Sequence, residues 1–215
     1  MSRRRSRAIE ARERMYRELV LTSAERVFAR GGYHASKMAE VAAEAGISLG
    51  TLYGAFPSKQ EVFEALHEFR GAEFLARVEA ALKQPLPARE SLRLGVHAFV
   101  GFLMEHEDYF RVDLREGRSW AVGDVEASPA FQAGIRQWTA LMQRGIDEGL
   151  FLEDDPELMA TSVFGLMQVQ LAARMQRKPD ATATELADSI AEALERLLCR
   201  PEELAAVAAA NARTA

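Results

Sequence analysis

The sequence lacks the features that mark secreted and membrane proteins. A single cysteine, Cys199, in 215 residues excludes an intrachain disulfide framework and favours a reducing compartment. No apolar run approaches the roughly 18 residues needed to cross a bilayer, and the arginine-rich N-terminus has no apolar core of a signal peptide. These absences predict a cytoplasmic protein that does not use a membrane as a partner.

Motifs for catalysis and cofactor binding are missing as well. The sequence contains no phosphate-binding glycine loop, no G-x-G-x-x-G after a strand and no G-x-S-x-G elbow. Glu64 and His67 have the E-x-x-H spacing of di-iron helix bundles, but such a site needs a second pair that the chain does not have. We therefore predict no enzymatic activity, no metal and no cofactor.

Apolar residues recur every three or four positions along most of the chain, and no stretch alternates with a period of two. The pattern predicts an all-α protein with helices near residues 14–30, 36–45, 48–56, 59–83, 88–106, 107–121, 128–148, 155–176 and 182–198. Glycine and proline pairs, such as those at 31–32 and 85–87, separate them. Residues 201–215 are alanine-rich and fit either a frayed helix or a tail.

Charge is distributed unevenly between the two ends of the chain. The formal net charge is −5, yet residues 1–60 contain 11 Lys and Arg against 6 Asp and Glu, whereas the remainder contains 16 against 26. Positive charge concentrated in one segment is what contact with phosphate requires. A chance asymmetry is the alternative interpretation.

Residues 36–59 have the pattern of two short helices joined by a tight turn. Ser36 is a candidate N-cap, and Gly46 lies where the chain must reverse and a positive φ is favoured. Ser48 is placed to cap the second helix, with Leu52 and Phe56 facing inward. This arrangement is typical of a helix-turn-helix, whose second helix enters the DNA major groove.

The same run resembles the N-terminal domain of the TetR family of transcriptional repressors. The similarity extends over about residues 14–65 and includes Phe28-Ala29, Gly32-Tyr33, Ser36, and residues 39–48, 50–53 and 56–59. One departure is the pair Gly54-Ala55, where many members carry two bulky or polar residues. The resemblance implies a homodimer bound to a palindromic operator in double-stranded DNA, with a small-molecule effector in a C-terminal helical domain.

The predicted organisation has four parts: a flexible basic arm over residues 1–13, a helix-turn-helix domain over 14–60, an effector-binding and dimerisation domain over 61–200, and a tail over 201–215. The arm has two open interpretations, a solvated tail or a DNA-contacting segment. Lys59, at the start of a long helix, is predicted to contact a phosphate. The predicted DNA-binding residues are Ser36, Lys37, Ser48, Leu49, Gly50, Thr51, Tyr53, Gly54 and Lys59.

Large aromatic and methionine side chains are concentrated between residues 99 and 142. They are either ordinary core or the lining of an apolar cavity, in which His106, Arg111, Gln132 or Gln168 would orient a guest molecule. The predicted pocket residues are Phe99, Phe102, His106, Phe110, Trp120, Trp138, Met142, Phe164 and Gln168.

The last two predicted helices have apolar faces broader than one monomer core needs, which predicts pairing with a second copy. Ile190 and Leu194 are predicted to lie in that interface. The function predicted is therefore a repressor released by an apolar or aromatic effector. A DNA-associated helical protein with a structural or cell-organising role and no effector is the alternative.

Overall fold

The computed structural model describes residues 2–116 and 129–202, with side chains from residue 12 and, after the gap, from residue 131. Within these ranges the chain forms nine α-helices, and the β-structure there is one isolated bridge between Phe151 and Cys199. The predicted all-α class is confirmed. The helices are α1 (Ser2–Gly31), α2 (Met38–Glu44), α3 (Leu49–Ala55), α4 (Lys59–Leu82), α5 (Ala88–Glu105), α6 (Glu107–Glu116), α7 (Pro129–Asp147), α8 (Pro156–Arg177) and α9 (Ala183–Leu198).

Side-chain caps begin α8 and α9, close to the starts that the sequence predicted at residues 155 and 182. The Asp155 carboxylate accepts hydrogen bonds from the backbone N–H groups of Glu157 (2.8 Å) and Leu158 (3.2 Å). Thr182 and Glu185 form a reciprocal capping box, in which the backbone N–H of Thr182 donates to Glu185 at 2.8 Å. That hydrogen bond lowers the pKa of the Glu185 carboxyl group.

The prediction of a flexible N-terminal arm is wrong for residues 2–13, because α1 begins at Ser2. Arginine, alanine and glutamate dominate this stretch, and they are strong helix formers even without an apolar stripe. The backbone of α1 therefore continues in regular helix well beyond the apolar face that starts near Val20. The predicted tail over 201–215 lies almost wholly outside the described residues.

The described chain divides into two compact units, and the residue ranges of these units differ from those of the predicted domains. The first unit comprises residues 2–71 and 106–116, and the second comprises residues 72–105 and 129–202. The chain passes from one to the other inside α4. The units differ from the predicted domain of residues 61–200 in that α6 packs with the first unit.

Helices α1 to α4 and α6 surround the core of the first unit. Phe28, Leu52 and Leu66 are completely buried in it. The backbone carbonyl of Ala29, near the end of α1, accepts a hydrogen bond from the Arg115 guanidinium at 2.8 Å. This bond ties α6 to the carboxyl end of α1, a contact that no sequence periodicity indicates.

In the second unit, ion pairs join α5 to α9. The buried carboxylate of Glu195 accepts from Arg89 at 2.8 Å and from Arg93 at 3.1 Å. Asp188 accepts from Arg93 at 3.1 Å and lies 3.0 Å from His97. Two guanidinium groups on one partly buried carboxylate fix the rotation of both helices, because either cation alone would leave acceptor oxygens unpaired.

No helix of the described residues is long and apolar enough to span a bilayer. The same residues contain no cluster of three or more His, Cys, Asp or Glu side chains that would hold a metal ion.

Candidate nucleic-acid interface and second unit

The turn between α2 and α3 has the geometry of a helix-turn-helix. Gly46 has φ +67°, a left-handed conformation that a side chain would strain. The backbone N–H of Ile47 donates to the carbonyl of Ala42 at 3.0 Å, and Ala42 is buried where α2 approaches α3. The predicted role of Gly46 is confirmed.

Helix α3 presents one open face and one buried face. Its N-terminus is capped by Ser48, whose Oγ accepts from the backbone N–H of Thr51 at 3.0 Å, as predicted. Leu52 and Phe56 are buried on the inner side. The outer side is exposed along its whole length and consists of the predicted DNA-binding residues Ser48, Leu49, Gly50, Thr51, Tyr53 and Gly54.

The two apolar side chains on the open face are unusually accessible. Leu49 is 41% exposed and Tyr53 is 47% exposed. A folded monomer has no internal use for these side chains in that position. An exposed aliphatic group suits contact with a thymine methyl, and an exposed tyrosine suits contact with phosphate.

The prediction that Ser36 caps α2 is wrong. Its side chain is buried, and its Oγ donates to the carbonyl of Gly32 at 2.7 Å. Gly32, at φ +80°, ends α1 and leaves that carbonyl without a helical partner. Ser36 therefore stabilises the end of α1 and offers no free hydroxyl to DNA, whereas Lys37 precedes α2 and is exposed.

Lys59 is placed differently from its predicted phosphate contact. Its ammonium group donates to the carbonyl oxygens of Tyr33 (2.7 Å), His34 (3.0 Å) and Ser36 (3.0 Å). It also lies 4.6 Å from the centre of the Tyr33 ring. An ammonium group has three N–H donors, and all three are used inside the protein. This geometry corrects the predicted role: Lys59 joins the start of α4 to the segment between α1 and α2.

Arg17 is a candidate phosphate-binding residue that the sequence analysis missed. It is exposed on α1, and its guanidinium carbon lies 4.5 Å above the ring of Phe56, the residue that ends α3. Stacking on an aromatic face restrains the guanidinium without using its N–H donors. The apolar periodicity of α1 gives no signal for this position, because Arg17 lies outside the buried stripe.

A charged contact fixes α2 against α1. Arg30 donates to the Glu44 carboxylate at 2.5 Å, and Arg26 lies 3.7 Å from the same group. The hydrogen bond from Arg30 lowers the pKa of Glu44. The single carboxylate offsets only part of the positive charge of the two arginines, and both guanidinium groups stay largely exposed.

The predicted pocket residues are divided between the two units. His106 and Phe110 belong to the first, and Trp120 lies outside the described residues. The other six lie in the second unit, where all but Phe164 are buried: Phe99, Phe102, Trp138, Met142, Phe164 and Gln168.

Aromatic rings form a connected cluster in the second unit. The Phe99 ring lies 5.6 Å from that of Phe74 and 5.6 Å from that of Phe164, and Phe164 lies 5.3 Å from Phe131. Phe102 also meets Phe74, at 5.4 Å. All four contacts are edge-to-face, the preferred geometry of buried aromatic pairs. The cluster brings together residues of α4, α5, α7 and α8.

Family models match both parts of the chain. Residues 20–66 match the bacterial regulatory proteins of the tetR family, and residues 85–198, more than half of the chain, match the tetracyclin repressor-like C-terminal domain. The chain belongs to the TetR family. It is therefore a TetR-family transcriptional regulator with a helix-turn-helix DNA-binding domain.

Individual TetR-family relatives are distant. The fatty acid metabolism regulator protein of Bacillus subtilis is 23% identical over 177 residues, covering 81% of this chain and 91% of the relative. The nucleoid occlusion factor SlmA of Escherichia coli is 28% identical over 144 residues, covering 62% and 69%. The structure of the regulator FadR from Bacillus subtilis in complex with stearoyl-CoA aligns with a TM-score of 0.70 at 21% identity, covering 82% of this chain and 96% of that one.

Because Lys59 makes contacts within the protein, replacing it should affect stability, whereas replacing Lys37 or Arg17 should affect DNA binding. Lys59→Ala should lower the free energy of unfolding by about 1–3 kcal/mol, because three carbonyl groups lose a charged donor. Lys37→Ala and Arg17→Gln should leave stability nearly unchanged. Each should reduce the slope of log K against log[salt] for DNA binding by about one, the effect of losing one phosphate contact.

Thermal unfolding and DNA titrations at several salt concentrations measure both quantities. Arg177→Gln, an exposed arginine at the end of α8, is the matched control and should change neither. A Lys59→Ala protein of wild-type stability with a reduced salt slope would restore the phosphate role.

Proposed function

We propose that the protein is a cytoplasmic repressor that binds a palindromic operator as a homodimer and dissociates when an acyl effector binds to its second unit. The observation that carries the DNA-binding part is the open face of α3, where Leu49, Thr51 and Tyr53 are exposed on a helix fixed at both ends. A helix in that position is the reading element of a helix-turn-helix.

The same face indicates how DNA would be read. Gly50, Gly54 and Ala55 carry no functional group, so few side chains of α3 are able to reach base edges. Lys37, just before α2, and Arg17, stacked on Phe56 at the end of α3, are exposed cations that would contact phosphates. A short half-site follows, with affinity that depends strongly on phosphate contacts and hence on salt.

The effector class rests on two observations of different kinds. The second unit contains the connected Phe74–Phe99–Phe164–Phe131 cluster, an apolar environment for a hydrocarbon chain. Its relatives include a fatty acid metabolism regulator and a structure holding stearoyl-CoA. Together they support an acyl compound over the wider class of apolar or aromatic molecules.

The dimer interface requires a correction to the residues predicted from sequence. Ile190 and Leu194 are buried within the monomer, so neither is available to a partner. Large apolar side chains that remain exposed on the last two helices are Leu158 (60%), Val169 (46%) and Leu197 (58%). Leu158 and Val169 are three helical turns apart on one face of α8, separated by Ser162 and Gly165, which permit close approach of a second helix.

A second candidate function is favoured by the similarity to the nucleoid occlusion factor SlmA. In that case the same helix-turn-helix would bind at many chromosomal positions, and no effector would release the protein from DNA. The DNA-binding surface is common to both candidates. The number and placement of binding sites in the genome distinguish them.

Selection of bound sequences from a random DNA pool tests the proposal. We expect a two-fold symmetric site with two short half-sites, found near few promoters in the genome. Sites scattered through the chromosome without relation to promoters would favour the alternative function. An asymmetric or sequence-indifferent result would contradict the proposed operator recognition.

The proposed dimer surface predicts that Val169→Glu separates the subunits without unfolding them. A carboxylate in an apolar interface loses its hydration without gaining a partner. Sedimentation should show a monomer, and circular dichroism should show normal helix content. Operator affinity should fall because each monomer contacts only one half-site. Leu94→Glu, an equally drastic change at an exposed position of α5, should leave the dimer intact. A dimeric Val169→Glu protein would move the interface elsewhere.

A further inference from the structure

Trp138 has a buried hydrogen-bond donor with no partner in the described part of the chain. It lies on α7 and is 1% exposed, the largest of the fully buried side chains. No atom of residues 2–116 or 129–202 accepts a hydrogen bond from its Nε1–H. A buried indole N–H usually has an acceptor, and leaving one unpaired is unfavourable. The described residues therefore leave this donor open to an acceptor such as a bound ligand.

Close packing prevents the indole from turning toward another partner. A Cβ atom added to Gly95 on α5 would lie 2.8 Å from Cη2 and 3.2 Å from Cζ2 of Trp138. The benzene edge of the indole therefore fits against the bare backbone at Gly95. This contact fixes the ring, and with it the direction of the N–H bond.

A second unpaired polar group lies in the same unit. Gln168 on α8 is 3% exposed, and its Oε1 has no hydrogen-bond partner. It lies one helical turn after Phe164, whose ring contacts Phe99 and Phe131. Small-molecule sites are mostly apolar and contain a few placed polar groups that orient the guest. The unpaired atoms on α7 and α8 fit that description.

We propose that Trp138 Nε1–H donates a hydrogen bond to the acyl oxygen of the effector. This inference rests on the proposed function, in which an acyl compound binds to the second unit. An indole N–H is a donor only, so it selects a carboxylate or carbonyl oxygen and rejects an ammonium head group. Trp138 is thus the specificity-determining residue for the head, and the aromatic cluster accepts the chain.

The test compares three probes with one chain length: dodecanoate, dodecanoyl-CoA and dodecylamine. Binding to the full-length protein is measured directly by calorimetry, without DNA. Wild-type protein should bind an oxygen-bearing probe at least tenfold more tightly than the amine. Preference for dodecanoate over dodecanoyl-CoA would identify the free acid as the source of the acyl group, and the reverse preference would identify the thioester.

Trp138→Phe keeps an aromatic ring and removes the donor. Affinity for the preferred acyl probe should fall about tenfold relative to wild type, the effect of one lost hydrogen bond. Affinity for dodecylamine should be the same in Trp138→Phe and in wild type. Phe164→Leu is the control, since it shortens an aromatic side chain that has no polar atom. It should weaken all three probes to a similar degree.

If Trp138→Phe does not fold, the fluorescence of the unaltered Trp138 indole provides a second test. In Trp120→Phe protein, Trp138 is the only fluorophore of its kind. Its emission should shift to longer wavelength when the acyl probe binds, because the indole N–H gains an acceptor, and should not shift with dodecylamine.

Two negative results have different meanings. Acyl probes that bind Trp138→Phe as tightly as wild type, or that bind without shifting the Trp138 emission, overturn the role of Trp138 and leave the acyl effector in place. Failure of every dodecyl probe to bind wild-type protein overturns both the role of Trp138 and the proposed effector class.

Discussion

The geometry of the DNA-binding unit depends on the hydrogen bonds that the Lys59 ammonium group donates. It gathers three carbonyl oxygens from the segment between α1 and α2 at the first residue of α4. The ring of Tyr33 lies beneath it and packs in turn on Phe63 at 4.3 Å. Because α3 packs on α2 and is joined directly to α4 in the chain, fixing the starts of α2 and α4 restrains the direction of the open face of α3.

The cations of the first unit therefore fall into two groups, those that make contacts within the protein and those that remain exposed. Lys59, Arg30 and Arg70 are committed to internal contacts: the three carbonyls, Glu44, and the buried carboxylate of Glu25 at 2.7 Å. Exposed cations such as Lys37 and Arg17 remain for an external anion. An excess of positive charge in the first 60 residues therefore overstates the charge available to DNA.

Sequence patterns predicted the helices well because their ends carry local signals. Gly46 and Ser48 act through a dihedral angle or a hydrogen bond within a few residues, and their spacing predicted both. Asp155 and Thr182 are equally local caps near the predicted starts of α8 and α9. The roles of Ser36 and Lys59 were missed because each depends on backbone carbonyl groups that only the fold brings within reach of the side chain. The allocation of α6 to the first unit was missed for the same reason, since Arg115 bonds to a carbonyl 86 residues away.

The candidate ligand site was predicted only in part. Composition indicated an aromatic region, and six of the nine named residues lie in the second unit. Composition does not distinguish a core aromatic from one with an unpaired donor. That distinction requires knowing which acceptors reach Trp138, and the close fit against Gly95 that holds its ring is a tertiary contact.

We propose that occupation of the second unit changes DNA binding by the first, and α4 is the continuous helix that contributes residues to both. The most direct measurement is the fluorescence anisotropy of a labelled operator during titration with an acyl ligand known to bind. Operator affinity should fall tenfold for each ~1.4 kcal/mol by which the ligand prefers the non-binding conformation. A ligand that saturates the protein and leaves operator affinity unchanged would contradict the claim.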